Sequence, residues 1–277
     1  MRLLYAIAIL LVISVSQGEA AGLARIGGID LRPTDSYVRC MVRFGTDIVG
    51  ATFAAPSSIV KYDMATLRSS AAVTLSQGVD YVSACATDGT VGMFIAYSFP
   101  GIVVKVDLAT MTVLGSLTLN PGDDAPNGMV YDGAGNVVFG TGVASTKIIK
   151  VAIATLTRTS DLPLGVGFDS TSCGVVDAAG NAFFGLASPT GRVVKFGIAT
   201  MSNLGAASVA GGEGAVRSIT YYATGSFVYA GTGATACRVV KFDATPTRIS
   251  SVTLGPGENY CGSVVQNAAG SKAFSAQ

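Results

Sequence analysis

The chain has 277 residues, 49% hydrophobic and only 13% charged, with 18 Lys and Arg against 17 Asp and Glu for a net charge of +1. Globular proteins carry about 25% charge, so roughly half the expected complement is missing, while apolar segments recur too regularly for a disordered chain. The even balance excludes the basic footprint that nucleic-acid phosphates require. Histidine and tryptophan are absent, which excludes His-assisted nucleophiles and His metal ligands.

Met1-Arg2 is a short positive start, Leu3 to Val15 is apolar, and Ser16 to Ala20 offers small residues for cleavage. Residues 1–20 therefore read as a secretory signal peptide. The apolar run falls short of the ~20 residues that span a bilayer, and nothing similar follows, so no membrane span is expected. A secreted location places the five cysteines, Cys40, Cys85, Cys173, Cys237 and Cys261, where disulfides persist.

Residues 21–277 are dominated by one repeat. Ile59–Leu67 (IVKYDMATL) recurs at Val103–Met111, Ile148–Leu156, Val193–Met201 and, shortened, Val239–Thr245. Its lysines, Lys61, Lys105, Lys150, Lys195 and Lys241, are 44, 45, 45 and 46 residues apart, a period in the range of propeller blades. Each unit carries only strand signals: the VVKxD run, a Leu- and Thr-rich run, a Gly/Pro/acid loop, a further strand, and a tight turn such as Asp132-Gly-Ala-Gly-Asn136 before a fourth. Asp63 and Asp107 are placed to accept from backbone N–H groups two or three residues on.

The pattern predicts an all-β, six-bladed β-propeller with ~45-residue, four-stranded blades. Ala24–Leu31 (ARIGGIDL) matches the outer-strand segment Thr247–Leu254 (TRISSVTL), so the last blade is expected to be incomplete or closed by the N-terminal strand. The missing strand leaves three options open: further chain supplies it, the gap is tolerated, or another molecule fills it.

With Phe139-Gly-Thr-Gly preceding a VVKxDxAT-like run and a Leu-rich strand, the unit resembles the YVTN-type β-propeller repeats of secreted and surface-layer proteins. The WD-repeat pattern needs His and Trp, which this chain lacks.

One carboxylate per unit precedes the innermost strand: Asp35, Asp80, Asp123, Asp169, Glu213 and Glu258. Such acids could ring a channel mouth and hold Ca²⁺, which takes about six to eight oxygens, or could simply accept hydrogen bonds from their own loops. No other cofactor is implied. The repeated lysines read as structural, each stem packed along its blade with the ammonium near an acid such as Asp88, Asp132 or Asp177. Cys40 with Cys85 and Cys237 with Cys261 could approach in adjacent units, leaving Cys173 unpaired; spacing does not fix connectivity.

These features point to a non-enzymatic extracellular propeller acting as a structural or self-assembling surface or filament subunit, because low charge suits surfaces covered by copies of itself. The alternatives are a binding propeller for carbohydrate, peptide or Ca²⁺, and a Ca²⁺-dependent lactonase-like hydrolase. Partners would be further copies, other extracellular proteins or glycans.

Overall fold

The computed structural model describes residues 37–187, 190–255, 261–266 and 273–276. Its core is five antiparallel four-stranded sheets spanning residues 38–74, 82–118, 127–163, 171–208 and 216–253, here blades 1 to 5. Each is a meander with its strands side by side in chain order. The first strands of successive blades pack against one another, so they surround a common axis and the fourth strands form the outer rim. Among the described residues there is no helix, hence none able to cross a membrane.

The expected count of six blades, the last incomplete or closed by the N-terminal strand, is corrected to five four-stranded blades among the described residues. The sixth unit contributes a two-stranded sheet, Ser263–Gln266 paired with Ala273–Ala276. No described sheet combines strands from both ends of the chain. The signal segment and Ala24–Leu31 lie outside the described residues, as do Asp35 and Glu258.

Strand alternation explains why the blades stack. In the third strand of blade 2, Val103 and Val104 point to opposite faces, and both are fully buried. Val103 packs with Met129, Val137 and Phe139 of blade 3, while Val104 joins Val42, Val49 and Ile59 of blade 1. Ile59 and Val60, Ile148 and Ile149, and Val193 and Val194 are likewise buried in pairs. Burying each such side chain contributes about 1.5 to 3 kcal/mol, so a blade is stable only between two neighbours.

The repeated lysines cross those interfaces. Lys61 Nζ donates to the Leu108 carbonyl at 3.1 Å, Lys105 to Ala154 at 3.4 Å and Lys195 to Ala244 at 2.8 Å, each in the third-to-fourth-strand turn of the next blade. Lys150 and Lys195 also lie 3.4 Å from Asp132 and Asp177. Asp88 departs from the expected pairing: its carboxylate accepts N–H bonds from Thr90 and Val91 and closes its own turn. Lys61 instead approaches Asp47 at 3.8 Å and sits over the Phe44 ring. Asp63 and Asp107 accept from Ala65 and Thr66, and from Ala109 and Thr110.

Two disulfides add covalent links between neighbouring units. Cys40 joins Cys85 with Cα atoms 5.9 Å apart, and Cys237 joins Cys261 at 5.5 Å. They close loops of 45 and 24 residues, which in the chain-entropy account stabilises by about 3 to 4 kcal/mol each. Calorimetry with and without reductant should show a melting point roughly 12 to 32 °C lower for the reduced chain, and Cys40→Ser should reproduce part of that loss.

Candidate functional site

The site arises from a slip in each blade's inner ladder. The pairing of first and second strands shifts by one between Val38 and Cys40, Val82 and Ala84, Thr171 and Cys173, and Val216 and Ser218. The skipped residues are Arg39, Ser83, Ser172 and Arg217. In blade 3 the slip falls a step later, beside Asn127. A β-bulge re-aims the side chain it releases; the four skipped residues line one axial cavity of about 230 Å³ together with Asn127, which stays paired with Gly140. Their spacing of 44, 44, 45 and 45 residues follows the repeat.

Two residues before these positions the chain is held in left-handed backbone: φ is 65° at Tyr37, 57° at Tyr81, 48° at Ala125 and 52° at Ser170. None is glycine, so each costs on the order of 1 kcal/mol or more, and surrounding structure must enforce it. Beside Asn127, Gly128 has φ 66°, and a Cβ there would lie 3.1 Å from the Cys173 backbone, so only glycine fits.

The ring members differ in what they leave unspent. Ser83 Oγ donates to the Pro126 carbonyl at 2.7 Å, and Ser172 Oγ to Val216 at 2.5 Å, each in the following blade. Thr171 Oγ1 lies 3.2 Å from both the Asn127 and Thr141 carbonyls. The hydroxyl protons thus serve the scaffold. Asn127 Oδ1 accepts from the Gly128 N–H at 2.9 Å, leaving its amide N–H groups without a bonded acceptor among the described residues. Arg39 and Arg217 are exposed and form no ion pair among the described residues. Arg39 lies over the Phe53 ring at 5.1 Å, while a Cβ at Gly233 would approach Arg217 Nε to 2.9 Å, so glycine makes room for that stem.

Outside the ring a wider cavity of about 360 Å³ opens. Phe53 and Tyr97 wall it on blades 1 and 2; Gly142 and Ala187 stand on blades 3 and 4. The mouth is therefore lopsided. Its aromatic side extends outward: Phe53 contacts Tyr37, Tyr81 and Tyr97 at 5.1 to 6.3 Å between centroids, and Tyr97 contacts Phe99. Phe99 is 69% exposed and Tyr37 50%, and with Tyr81 and Tyr97 they are the exposed rings among the described residues, all on this side of the mouth.

The acids proposed from sequence occupy two kinds of position. Asp123 and Glu213 are fully buried and pair with cations of the following blade. Asp123 binds Lys147 at 2.9 Å and also Arg158; Glu213 binds Arg248 at 2.6 Å and approaches Arg238 at 3.6 Å. Val79 and Phe168 fill the corresponding slot in the other loops. Asp80 and Asp169 lie one residue further on, half-buried, and Asp169 accepts from the Ser145 N–H. No carboxylate lines either cavity, and among the described residues no three Asp, Glu, Cys or His side chains cluster for a metal ion.

Desolvation works against the Glu213 carboxylate, but the Arg248 guanidinium and the Ala210 N–H outweigh it and hold its pKa below the usual value of 4.5. Its contribution to stability is therefore complete above pH 4.5 and is lost as the pH falls through the lowered value. Glu213→Gln should cost about 2 kcal/mol, discounted from the buried-pair range because Arg248 is partly exposed, and should flatten part of the acid limb of a plot of melting temperature against pH.

Cys173, the unpaired cysteine among the described residues, borders the same cavity, but burial pushes its thiol up to about 11. A protonated, partly buried thiol is a poor nucleophile. Iodoacetamide at pH 8 should label the native chain at least 100-fold more slowly than the unfolded chain, followed by mass spectrometry.

No family model matches the sequence, and no curated protein matches it. Solved structures do resemble it. The hydrazine synthase of Kuenenia stuttgartiensis aligns with a TM-score of 0.71 at 12% identity, covering 87% of this chain and 73% of that one. A chain of the mitotic checkpoint complex gives 0.68 at 10% identity, over 87% and 71%. The WD40 repeats of RRP9 give 0.60 at 13% identity, over 88% of each chain. At such identities the likeness shows the fold alone. The class is the β-propeller, built from repeated four-stranded sheets. Within it, this chain has five complete blades and a two-stranded sixth unit among its described residues.

Proposed function

We propose that this is a secreted, non-enzymatic β-propeller, of the kind its YVTN-like repeats resemble, that binds a ligand at the mouth of its axial channel. One observation carries the reading: the bulged ring points Arg39, Asn127 and Arg217 into a cavity with donors unspent, beneath an exposed aromatic wall. Elsewhere this protein pairs its buried charges closely, as at Asp123 and Glu213. What distinguishes Arg39 and Arg217 is their place: two guanidinium groups without an ion pair among the described residues, both at the re-aimed position of an inner strand and both lining one concave site.

Glycan and peptide arrays probed with the full secreted chain should identify a binder, and Ala187→Trp, which fills the mouth without altering the ring, should abolish its capture. A chain that captures nothing on either array, or whose capture survives Ala187→Trp, would overturn this reading.

The outer rim favours a second role as a self-assembling subunit. The fourth strands of blades 2 and 4, Thr112–Thr118 and Ser202–Ser208, carry no charge, and Val113, Leu114, Leu204, Ile249 and Val252 are exposed along the rim. Edges without charges are templates for pairing with another chain. This role uses the rim and leaves the axial mouth free.

A further inference from the structure

We propose that the ligand of the axial mouth is an acidic saccharide, its carboxylate or sulfate group seated between Arg39 and Arg217 and a sugar face resting on Tyr97. The inference rests on the reading of the mouth as a binding site and adds the chemical class.

The sign of the ligand follows from hydrogen-bond accounting. Ser83, Thr171 and Ser172 have committed their protons to backbone carbonyls. The hydroxyl oxygens can still accept but carry no charge; the charged groups left to face a guest are two guanidinium groups, with one amide N–H₂ beside them, and all three are donors. Among the described residues the lining of the cavity includes no Asp or Glu to supply counter-charge. A guest rich in acceptors and negatively charged matches that set, and guanidinium groups suit the planar, two-oxygen face of a carboxylate or the oxygens of a sulfate. The Arg39 guanidinium is already held against Phe53, which reduces the entropy lost on binding.

Shape supplies the rest. Directly above the donors, Phe53 and Tyr97 close one side while Gly142 and Ala187 leave the other low. A ligand must therefore present a flat, partly apolar face to the aromatic side and room-filling polar groups to the other. A pyranose ring offers both, with C–H groups on its faces and hydroxyls around its rim. The exposed chain of rings from Tyr97 to Phe99 continues the wall beyond the mouth and gives a second sugar of an oligosaccharide something to rest on.

Calorimetric titration of the full secreted chain with trigalacturonate, its methyl ester, galactotriose and sulfated galactotriose tests this. One or both of the anionic sugars should bind, the two arms separating a carboxylate from a sulfate preference. The ester and the neutral sugar should bind at least 10-fold more weakly. Arg39→Gln and Arg217→Gln, both at exposed side chains and each checked for an unchanged melting temperature, should weaken binding of the anionic sugar about 10- to 100-fold; Arg39→Lys serves if the glutamine variant does not fold. Raising the salt concentration should weaken the wild type as well. Equal binding of neutral and anionic sugars, or arginine variants that bind normally, would overturn the assignment. Capture of peptides but of no saccharide would overturn it while leaving the mouth as the binding site; no binding of any kind would remove both.

Discussion

Every blade has two apolar faces and can hide neither by itself. Adjacent residues of the third strands, such as Val103 and Val104, go to opposite neighbours and are both buried, so the unit of stability is the contact between blades. The lysines exploit this arrangement. Their stems lie in the interface, and their ammonium groups finish on the next blade's turn carbonyls or on an acid of their own blade, which satisfies a charge that would otherwise be costly to bury. The ionic latches of Asp123 and Glu213 and the two disulfides tie neighbouring units at further points.

Packing of this kind fixes where irregularity can be tolerated. Inner strands contact each other around the axis, where space is short. Releasing one residue from the ladder there removes a pair of backbone hydrogen bonds, and the left-handed residues upstream add strain. The same device appears in blade after blade, so the scaffold maintains it against a recurring cost. Its product is a ring divided between two tasks: Ser83 and Ser172 tie their blade to the next through a carbonyl, while Arg39 and Arg217 form no such tie and leave their side chains to the cavity.

Much of the fold was legible because it repeats. Lysines at a 45-residue period, aspartates capping the turns at Asp63 and Asp107, and the Gly-Asn hairpins all report local chemistry that any unit must satisfy. The number of complete blades was less legible, since a unit can be recognised from one or two strands, and the described residues after Cys261 form a two-stranded sheet. The site was largely hidden. Arg39, Ser83, Asn127, Ser172 and Arg217 share the period of the lysines, and that spacing was the available signal, but a bulge is a property of the ladder between two strands and has no residue signature of its own. The acids were visible and misleading: Asp123 and Asp80 look equivalent, yet a one-residue offset buries the first against Lys147 and leaves the second half-exposed. Loops of unequal composition absorb such offsets, so neither composition nor spacing reveals them.

A repeated backbone would by itself offer a guest several equivalent seats around the axis. Among the described residues, guanidinium groups of the ring stand in blades 1 and 5 and the aromatic walls of the mouth in blades 1 and 2. The side chains thus cancel the rotational symmetry that the strands create. In the proposed binding role a guest would have a single azimuth, and an elongated one would leave the mouth in a single compass direction across the face, so that a near-symmetric wheel would act as an oriented clamp.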